Sequence, residues 1–251
     1  AGELVRHWAE EAASAQPLLA LDLCAAPGGK STHLLDALPP GSILVANEVI
    51  RSRLAPLTDN LARWGRAEVL VTNNDPADFN PLQGHFDLVL VDAPCSGEGL
   101  WRRQPQAMAE WSPAAVAHCA RRQQRILAAA APLVRPGGLL LYSTCTYAPE
   151  ENDDQLRALL PPAGTGWAPY HPPLPGTGDW TTIALDGQPI GWRGLPHRIS
   201  GEGFGLMALQ RAGSFGARQR PGPSKRFRKQ LGAVPAGWLS DAAEWFTHPA
   251  P

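Results

Sequence analysis

The sequence predicts an α/β fold in which helices cover both faces of a mostly parallel sheet. In the first two-thirds of the 251 residues, short apolar runs alternate with stretches of helical periodicity. This alternation is typical of right-handed βαβ units, which build parallel sheets. The strand-like runs are also largely apolar without a polar alternation, as expected for strands that are buried on both faces. Ligands of such sheets bind beyond the carboxyl ends of the strands, so the residues that follow each strand are the first candidates for a site.

The first βα unit follows directly from this pattern. Residues 18–23 are apolar except for Asp22, a pattern that predicts a buried strand. Residues 31–38 have helical spacing, and the Pro-Pro-Gly that follows ends the helix because these residues do not continue it. Residues 42–46 then predict the second strand.

The next elements repeat the alternation. Residues 51–64 are helical in pattern and close at Gly65, since glycine is favoured just after a helix. Pro56 is expected to shorten or kink this helix. Residues 68–72 and 86–91 are mostly apolar and predict the third and fourth strands.

The longest helix is predicted over residues 113–134. Ser112 is placed as its N-cap, and Pro113 occupies the first helical position, where its missing N–H has no cost. A fifth strand over residues 138–142 and a helix over residues 149–160 follow.

The regular pattern fails in the last third of the chain. Residues 161–196 are rich in Pro, Gly and Trp and are predicted to form an irregular loop. Residues 204–210 predict a late strand that closes the sheet in antiparallel fashion. Six of the twelve residues 218–229 are Arg or Lys, so the chain becomes basic after the last predicted strand.

Composition narrows the class of protein. Hydrophobic residues make up 44% of the chain and charged residues 18%, as in ordinary globular domains. No apolar run approaches the roughly 20 residues of a bilayer span, and the first residues lack a signal-peptide pattern. The four cysteines contain no CxxC pair, which argues against a metal knuckle and favours reduced thiols in a cytoplasm. The net charge of −1 neither favours nor excludes nucleic acid.

A turn of small residues joins the first predicted strand to the first helix. Small residues let backbone N–H groups approach a ligand, and a helix N-terminus favours negative charge there. The spacing matches neither GxxxxGK[ST] nor GxGxxG, and an ordinary strand-to-helix turn has the same composition. The candidate binding residues of this turn are Cys24, Ala25, Ala26, Pro27, Gly28, Gly29 and Lys30.

Acidic residues follow the next two strands. Glu48 lies about 20 residues beyond the glycine turn, where an acid typically accepts hydrogen bonds from ribose hydroxyls. Asp75 follows the third strand, where it would meet an adenine edge. Each alone is also compatible with a solvated carboxylate, but together with the glycine turn they suggest an adenosine pocket.

Two thiols and a carboxylate follow the fourth and fifth strands. Asp92 and Cys95 lie in DAPCSGEG, and Cys145 lies in STCT. A cysteine is commonly a small buried hydrophobe, which is our interpretation of Cys119 on the long helix. Cys95 and Cys145 differ, because both lie where the crevice of a parallel sheet should open.

These motifs resemble those of the Sun/Fmu-type RNA (cytosine-5) methyltransferases. The similarity covers roughly residues 18–211, and the bacterial branch that acts on small-subunit ribosomal RNA is the most similar. The resemblance implies a class I, Rossmann-like fold with a seven-stranded, mostly parallel sheet. The stretches that carry it are LDLCAAPGGKSTHL, ANEV, DAPCSGEG, YSTCTYAPEEN and HRISGEGFGLMALQR.

The resemblance also implies a cofactor, S-adenosyl-L-methionine, and a site for it. The turn from Cys24 to Lys30 would hold its methionine end, Glu48 its ribose and Asp75 its adenine. Asp92 would border the same pocket.

Methylation at carbon 5 explains the need for a thiol. A thiolate that adds to carbon 6 of cytosine makes carbon 5 nucleophilic, and a carboxylic acid such as Asp92 can protonate ring nitrogen 3. DNA cytosine methyltransferases attack with a Pro-Cys thiol, which would assign Cys95 as the nucleophile. The RNA family uses the Thr-Cys thiol, which assigns Cys145; Cys95 then assists product release. Lys30 is expected to orient Asp92 and the base.

The expected partner is RNA, with ribosomal RNA or a ribosomal subunit favoured, and the target base must leave its stack to be methylated. We expect a monomer that uses no metal and no membrane. Arg102 and Arg103 could contact phosphates or belong to a solvated loop, and Trp101 is a candidate for base stacking. Arg121, Arg122 and Arg125 are expected on a solvent-facing helix surface.

Family members normally carry an RNA-binding region before the first motif. We therefore expect residues 1–17 to be a remnant of a preceding region, residues 18–213 the catalytic domain and residues 214–251 a basic, Pro/Gly-rich extension or linker. Two alternatives stay open: a class I methyltransferase that acts on tRNA, protein or a small molecule, and a module that binds cofactor without turnover.

Overall fold

A computed structural model describes residues 1–11, 16–157, 159–160, 166–174, 176 and 178–214. The described residues form one sheet with helices on both faces. Its nine strands are β1 (Leu19–Asp22), β2 (Ile43–Asn47), β3 (Val69–Thr72), β4 (Phe86–Asp92), β5 (Val134–Thr144), β6 (Trp167–Pro169), β7 (Thr181–Leu185), β8 (Gln188–Gly194) and β9 (Phe204–Arg211).

The strand order is β3-β2-β1-β4-β5-β9-β8-β7, and β6 pairs with β9 beside β8. Strands β1 to β5 are parallel, whereas β9 runs antiparallel to β5, as predicted for the late strand. The order reverses direction at β1, so a crevice opens beyond the carboxyl ends of β1 and β4. The doubly wound class I methyltransferase fold is confirmed, with nine strands among the described residues where seven were expected.

The α-helices are α1 (Gly2–Glu11), α2 (Gly29–Ala37), α3 (Leu54–Trp64), α4 (Pro113–Ala130) and α5 (Asp153–Arg157). Helix α4 ends earlier than predicted, because a 3₁₀ turn over Ala131–Leu133 carries Pro132, which cannot donate the next hydrogen bond. Pro56 lies in the first turn of α3, where N–H groups have no helical partner, so α3 continues to Trp64. Gly65 ends α3 with a φ of 76°, as predicted.

Two apolar layers cover the two faces of the sheet. One layer contains buried side chains of α1, α2 and α3, among them Trp8, Leu34 and Leu57. The other contains side chains of α4 and its neighbours, among them Ile126 and Leu156. Because both faces of the sheet are covered, every residue of β4 from Phe86 to Val91 is buried, which accounts for its mostly apolar run; the exception, Asp87, pairs with Arg135.

Helix α1 is part of the first apolar layer. Leu4, Val5 and Trp8 are buried in it, and α1 contacts α2. Residues 2–11 thus pack onto the same sheet as the predicted catalytic domain. The predicted extension lies almost entirely outside the described residues, which end at residue 214.

The prediction of an irregular loop over residues 161–196 is wrong in part. Strands β7 and β8 form an antiparallel hairpin, and β6 adds a short strand. The hairpin turns at Asp186 and Gly187, whose φ angles of 49° and 80° are those of a tight primed turn. Proline and glycine elsewhere in this segment obscured that local signal.

Candidate active site

A cavity of about 360 Å³ opens beyond the carboxyl ends of the central strands. This volume is within the usual range of small-molecule sites. It brings together seven of the residues predicted for the site: Cys24, Ala26, Pro27, Glu48, Asp92, Cys95 and Cys145. Residues that follow different strands, up to 121 positions apart in sequence (from residue 24 to residue 145), thus meet at this cavity.

The turn between β1 and α2 forms one wall of the cavity. Gly28 has a φ of 111°, a conformation that glycine adopts without strain, and α2 starts at the next residue. Helix α3 and the 3₁₀ turn before it (Arg51–Arg53) hold this turn in place: Asn60 donates to the Pro27 carbonyl at 2.8 Å and Arg53 to the Ala26 carbonyl at 2.6 Å. Ala25, Gly28 and Gly29 shape this wall without lining the cavity themselves.

Glu48 follows β2 and is only 2% exposed. Its carboxylate accepts a hydrogen bond from the Ile50 N–H at 2.8 Å and lies 3.4 Å from the Arg53 guanidinium. A carboxylate offers about four acceptor sites, so these two contacts leave acceptor capacity toward the cavity.

Asp75 does not line the cavity, although its neighbour Pro76 does. The Asp75 carboxylate caps the 3₁₀ helix Pro76–Leu82 by accepting from the Ala77 N–H at 3.0 Å, and Asp78 completes a capping box. A second contact places it 3.8 Å from Arg125 at the edge of the cavity.

Asp92 is held by two donors at the end of β4. Lys30 donates to one carboxylate oxygen at 2.8 Å, and the Ser143 hydroxyl donates to the other at 2.7 Å. The Lys30 ammonium also lies 5.0 Å from the centre of the Phe204 ring, which favours the cation. Lys30 therefore contacts Asp92, as its predicted role in orienting that residue requires; its effect on the base stays a prediction.

The sulfur atoms of Cys95 and Cys145 lie 3.2 Å apart, and both thiols are free. The hydrogen bond with Cys95 lowers the pKa of Cys145 and outweighs burial and the nearby Asp92 carboxylate, which raise it; the positive charge of Lys30 adds to the lowering. The same hydrogen bond, together with burial, raises the pKa of Cys95. The arrangement therefore favours a thiolate at Cys145 and a thiol at Cys95.

Three other residues, which follow the Cys95 loop (residues 93–97), have structural partners, and one of them, Arg103, donates to the Glu202 carboxylate at 3.3 Å. Arg102 donates to the carbonyls of Ile199 and Gly201 at 3.1 and 3.0 Å and also to the Pro196 carbonyl. Trp101 packs edge-to-face against Trp111, with ring centres 6.1 Å apart. Arg102 therefore connects two loops while its side chain stays exposed, and the choice between a phosphate contact and a solvated loop stays a prediction.

Helix α4 supplies a wall that the sequence did not predict. Arg122, Arg125 and Ile126 line the cavity, and their spacing of three and four residues places them on one face of the helix. Arg125 keeps 71% of its side chain exposed, so the expectation of a solvent-facing surface holds for it while the same side chain reaches the cavity. The spacing of these residues was the only sequence signal for this wall, and it does not show which face of α4 borders the cavity.

Residues 13–166 match the family model described as 16S rRNA methyltransferase RsmB/F. The matched segment is more than half of the chain and contains every predicted site residue. The chain belongs to the RsmB/F methyltransferase family.

Individual relatives agree with this assignment to the RsmB/F family. The chain is 34% identical over 210 residues to ribosomal RNA small subunit methyltransferase F of Erwinia tasmaniensis, covering 82% of this chain and 43% of the relative. The protein of the same name from Pectobacterium carotovorum is 40% identical over 147 residues, covering 57% of this chain and 30% of that protein. The chain thus spans less than half the length of these relatives.

A solved structure extends the similarity to the fold. NSun6 from Pyrococcus horikoshii, solved with the ligand SFG, is 25% identical and superposes with a TM-score of 0.69 over 85% of this chain and 52% of that one. Within the described residues, no helix has the length and apolarity needed to cross a membrane. The same part of the chain contains no group of three His, Cys, Asp or Glu side chains arranged to hold a metal ion.

Proposed function

We propose that this chain is the catalytic part of an enzyme that methylates carbon 5 of cytosine in RNA, with Cys145 as nucleophile and S-adenosylmethionine as methyl donor. The observation that carries the proposal is the 3.2 Å contact between Cys95 and Cys145 in the cavity that Asp92 also lines. A methyltransferase acting on oxygen or nitrogen has no need of two thiols beside a carboxylate.

The cavity suits S-adenosylmethionine by its size and its groups. Glu48 retains acceptor capacity for ribose hydroxyls, and the turn from Cys24 to Lys30 precedes a helix N-terminus, which favours a carboxylate. Val49, Pro76 and Ile126 offer apolar surface for a purine. When bound, the cofactor supplies an electrophilic methyl group. The contact of Asp75 with adenine stays a prediction.

Cys145 would start the reaction. Its thiolate adds to carbon 6 of cytosine, which breaks the aromaticity of the ring and turns carbon 5 into an enamine-like nucleophile. Asp92 lies on the neighbouring strand, where its carboxyl group can pass a proton from the Lys30 ammonium, which donates to it, to ring nitrogen 3 as electrons move onto the ring. Lys30 and Ser143 hold the two oxygens of Asp92 and so fix its direction.

Cys95 would act in the second half of the reaction. After carbon 5 is methylated, its proton passes to a water molecule, ring nitrogen 3 returns its proton to Asp92, and the bond between carbon 6 and the Cys145 sulfur breaks with its electrons left on the sulfur. The Cys95 sulfur is adjacent to the Cys145 sulfur, so it is placed to assist release of the product. Because the two thiols have opposite pKa shifts, we assign attack to Cys145 and release to Cys95.

Ribosomal RNA of the small subunit is the substrate that we propose. The names of the family and of the relatives point to it, and three guanidinium groups at the cavity suit a polyanion. These are Arg53, Arg122 and Arg125. The target cytosine would leave its stack to enter the cavity, which costs least in a single-stranded or bulged site. A cytoplasmic place of action follows from this substrate.

Methylation of isolated small-subunit RNA and of total tRNA by this chain tests the proposal. Bisulfite sequencing should show new 5-methylcytosine in the ribosomal RNA. Modified tRNA alone would favour the alternative substrate, and cofactor binding without any methyl transfer would favour a module without turnover.

A further inference from the structure

Two buried carboxylates join the loop of Cys95 to the loop of Cys145. The first belongs to Glu151, which has no solvent exposure. It accepts hydrogen bonds from the Ser96 N–H at 3.0 Å, from the Ser96 hydroxyl and from the Gln123 amide at 2.7 Å. Glu151 follows β5, whereas Ser96 follows β4, so this carboxylate links the ends of two strands.

The same contacts hold both peptide groups next to Cys95. The Ser96 N–H belongs to the peptide group on one side of Cys95, and Glu151 binds it. The Pro94 carbonyl belongs to the peptide group on the other side, and the fully buried Gln123 donates to it at 3.0 Å. With both peptide groups fixed, the direction of the Cys95 side chain is set by its own rotamer alone.

The second carboxylate makes the reciprocal link. Glu98 directly follows the Cys95 loop and accepts from the Tyr147 N–H at 2.7 Å and from the Thr146 hydroxyl at 3.0 Å. The Gly99 N–H donates to the Cys145 carbonyl at 2.6 Å. The two loops thus hold each other, and the facing sulfur atoms lie between these contacts.

We propose that Glu151 is a positioning residue that, through Ser96 and Gln123, holds the Cys95 thiol within hydrogen-bonding reach of the Cys145 sulfur. This inference rests on the proposed function, because the thiol pair has this importance only if Cys145 is the nucleophile. Donors alone converge on Glu151, and a carboxylate is the side chain that only accepts. A glutamine there would direct an amide N–H at one of these donors, so the loop must shift.

The test is the pH dependence of Cys145 alkylation by iodoacetamide, followed by mass spectrometry of the peptide that contains Cys145. Glu151→Gln should move the midpoint upward by about one pH unit, because Cys145 loses the hydrogen bond from Cys95. Glu150→Gln is the matched control, since Glu150 is the exposed neighbour of Glu151. Its midpoint should equal that of the unchanged protein.

A double variant separates positioning from a general loss of structure. If Glu151 acts through Cys95, Glu151→Gln should cause no further shift of the midpoint in a Cys95→Ala protein. A full additional shift in that background, or an unchanged midpoint in the single variant, would overturn the inference. Should Glu151→Gln not fold, Gln123→Met removes the contact to Pro94 without changing charge and must show the same upward shift.

The alkylation assay contains no RNA, so its outcome is independent of the proposed reaction. Full methylation by a Cys145→Ala protein would refute the proposed nucleophile even if the alkylation midpoint moved as expected. An unmoved midpoint with normal methylation would refute only the role of Glu151.

Discussion

The Sγ atoms of Cys95 and Cys145 lie 3.2 Å apart, and the two residues follow the carboxyl ends of the adjacent strands β4 and β5. Asp92 and Ser143 are paired in register across the same two strands, so the acid and both thiols share one edge of the sheet. The contact between the sulfur atoms lowers the pKa of Cys145 and, together with burial, raises the pKa of Cys95.

Substitution of Cys145 and of Cys95 should block different steps of the reaction. Cys145→Ala should lower methyl transfer by roughly 10³-fold or more, as expected when a nucleophile is removed, with cofactor affinity unchanged. Cys95→Ala should accumulate a covalent RNA–protein adduct through Cys145, seen as a slow band on a denaturing gel. Cys119→Ala on α4 is the control, because Cys119 does not line the cavity. An adduct in Cys145→Ala instead would reverse the two roles.

Glu48→Gln should weaken binding of S-adenosylmethionine. Loss of a hydrogen bond to a charged group typically costs about 1.5–3 kcal/mol, so the dissociation constant should rise roughly tenfold or more by calorimetry. Glu68→Gln is a matched control, since Glu68 also pairs with an arginine, at 3.2 Å from Arg66, but does not line the cavity. Equal dissociation constants for the two variants would remove Glu48 from the site.

Two arginines of α4 should contribute to RNA affinity. Arg122→Ala and Arg125→Ala should each weaken binding, and each should make the dependence of log K on log salt shallower by roughly 0.7, the value for one phosphate contact to a single strand. Arg121→Ala provides the comparison, because Arg121 is exposed on the same helix and does not line the cavity. Identical salt slopes in all three variants would contradict a phosphate contact at the cavity.

Asp22 should make the protein less stable as pH rises. Burial raises the pKa of Asp22 from its usual 3.8 to about 7, against a hydrogen bond from Ser31 that favours the charged form. Between these two values the folded chain holds a proton that the unfolded chain has released, so the free energy of unfolding falls as pH increases from about 4 to about 7.

Asp22→Asn removes this titration. Relative to the unchanged protein, the variant should gain up to about 4 kcal/mol between pH 4 and pH 8, measured by urea unfolding at several pH values. Asp59→Asn, at an exposed position of α3, should leave the pH dependence as it is. A constant difference between the Asp22 variant and the parent at all pH values would show that Asp22 is ionised throughout.

The local pattern of apolar and polar residues correctly predicted the elements that are buried evenly along their length. Strand β4 is buried on both faces, so its apolar run was sufficient to place it. The hairpin of β7 and β8 was missed although Asp186-Gly187 is a strong turn signal, because the surrounding segment lacks a clear alternation of apolar and polar residues. Gly191 in β8 interrupts that alternation. An added Cβ would lie 2.2 Å from the Leu206 carbonyl oxygen, so the close approach of β9 excludes any side chain at this position.

The site was predictable where it depends on strand ends. Glu48, Asp92 and Cys145 each directly follow or end a parallel strand, and topology then brings them together. Arg122 and Glu151 could not be assigned in this way, because their roles depend on which side of a helix or turn faces the crevice. Such orientations are set by packing between segments that are distant in sequence.

Helix α1 has a practical consequence for anyone who shortens this protein. The first recognisable motif suggests Leu18 as a starting point, yet Trp8 and its neighbours cover α2, and Tyr170 beyond β6 bonds to both His7 and Glu11 of that helix. A chain trimmed to Leu18 would expose buried leucines of α2, among them Leu34, next to the turn from Cys24 to Lys30. We expect the truncated chain to bind hydrophobic dyes and to aggregate on mild warming, whereas the longer chain should do neither.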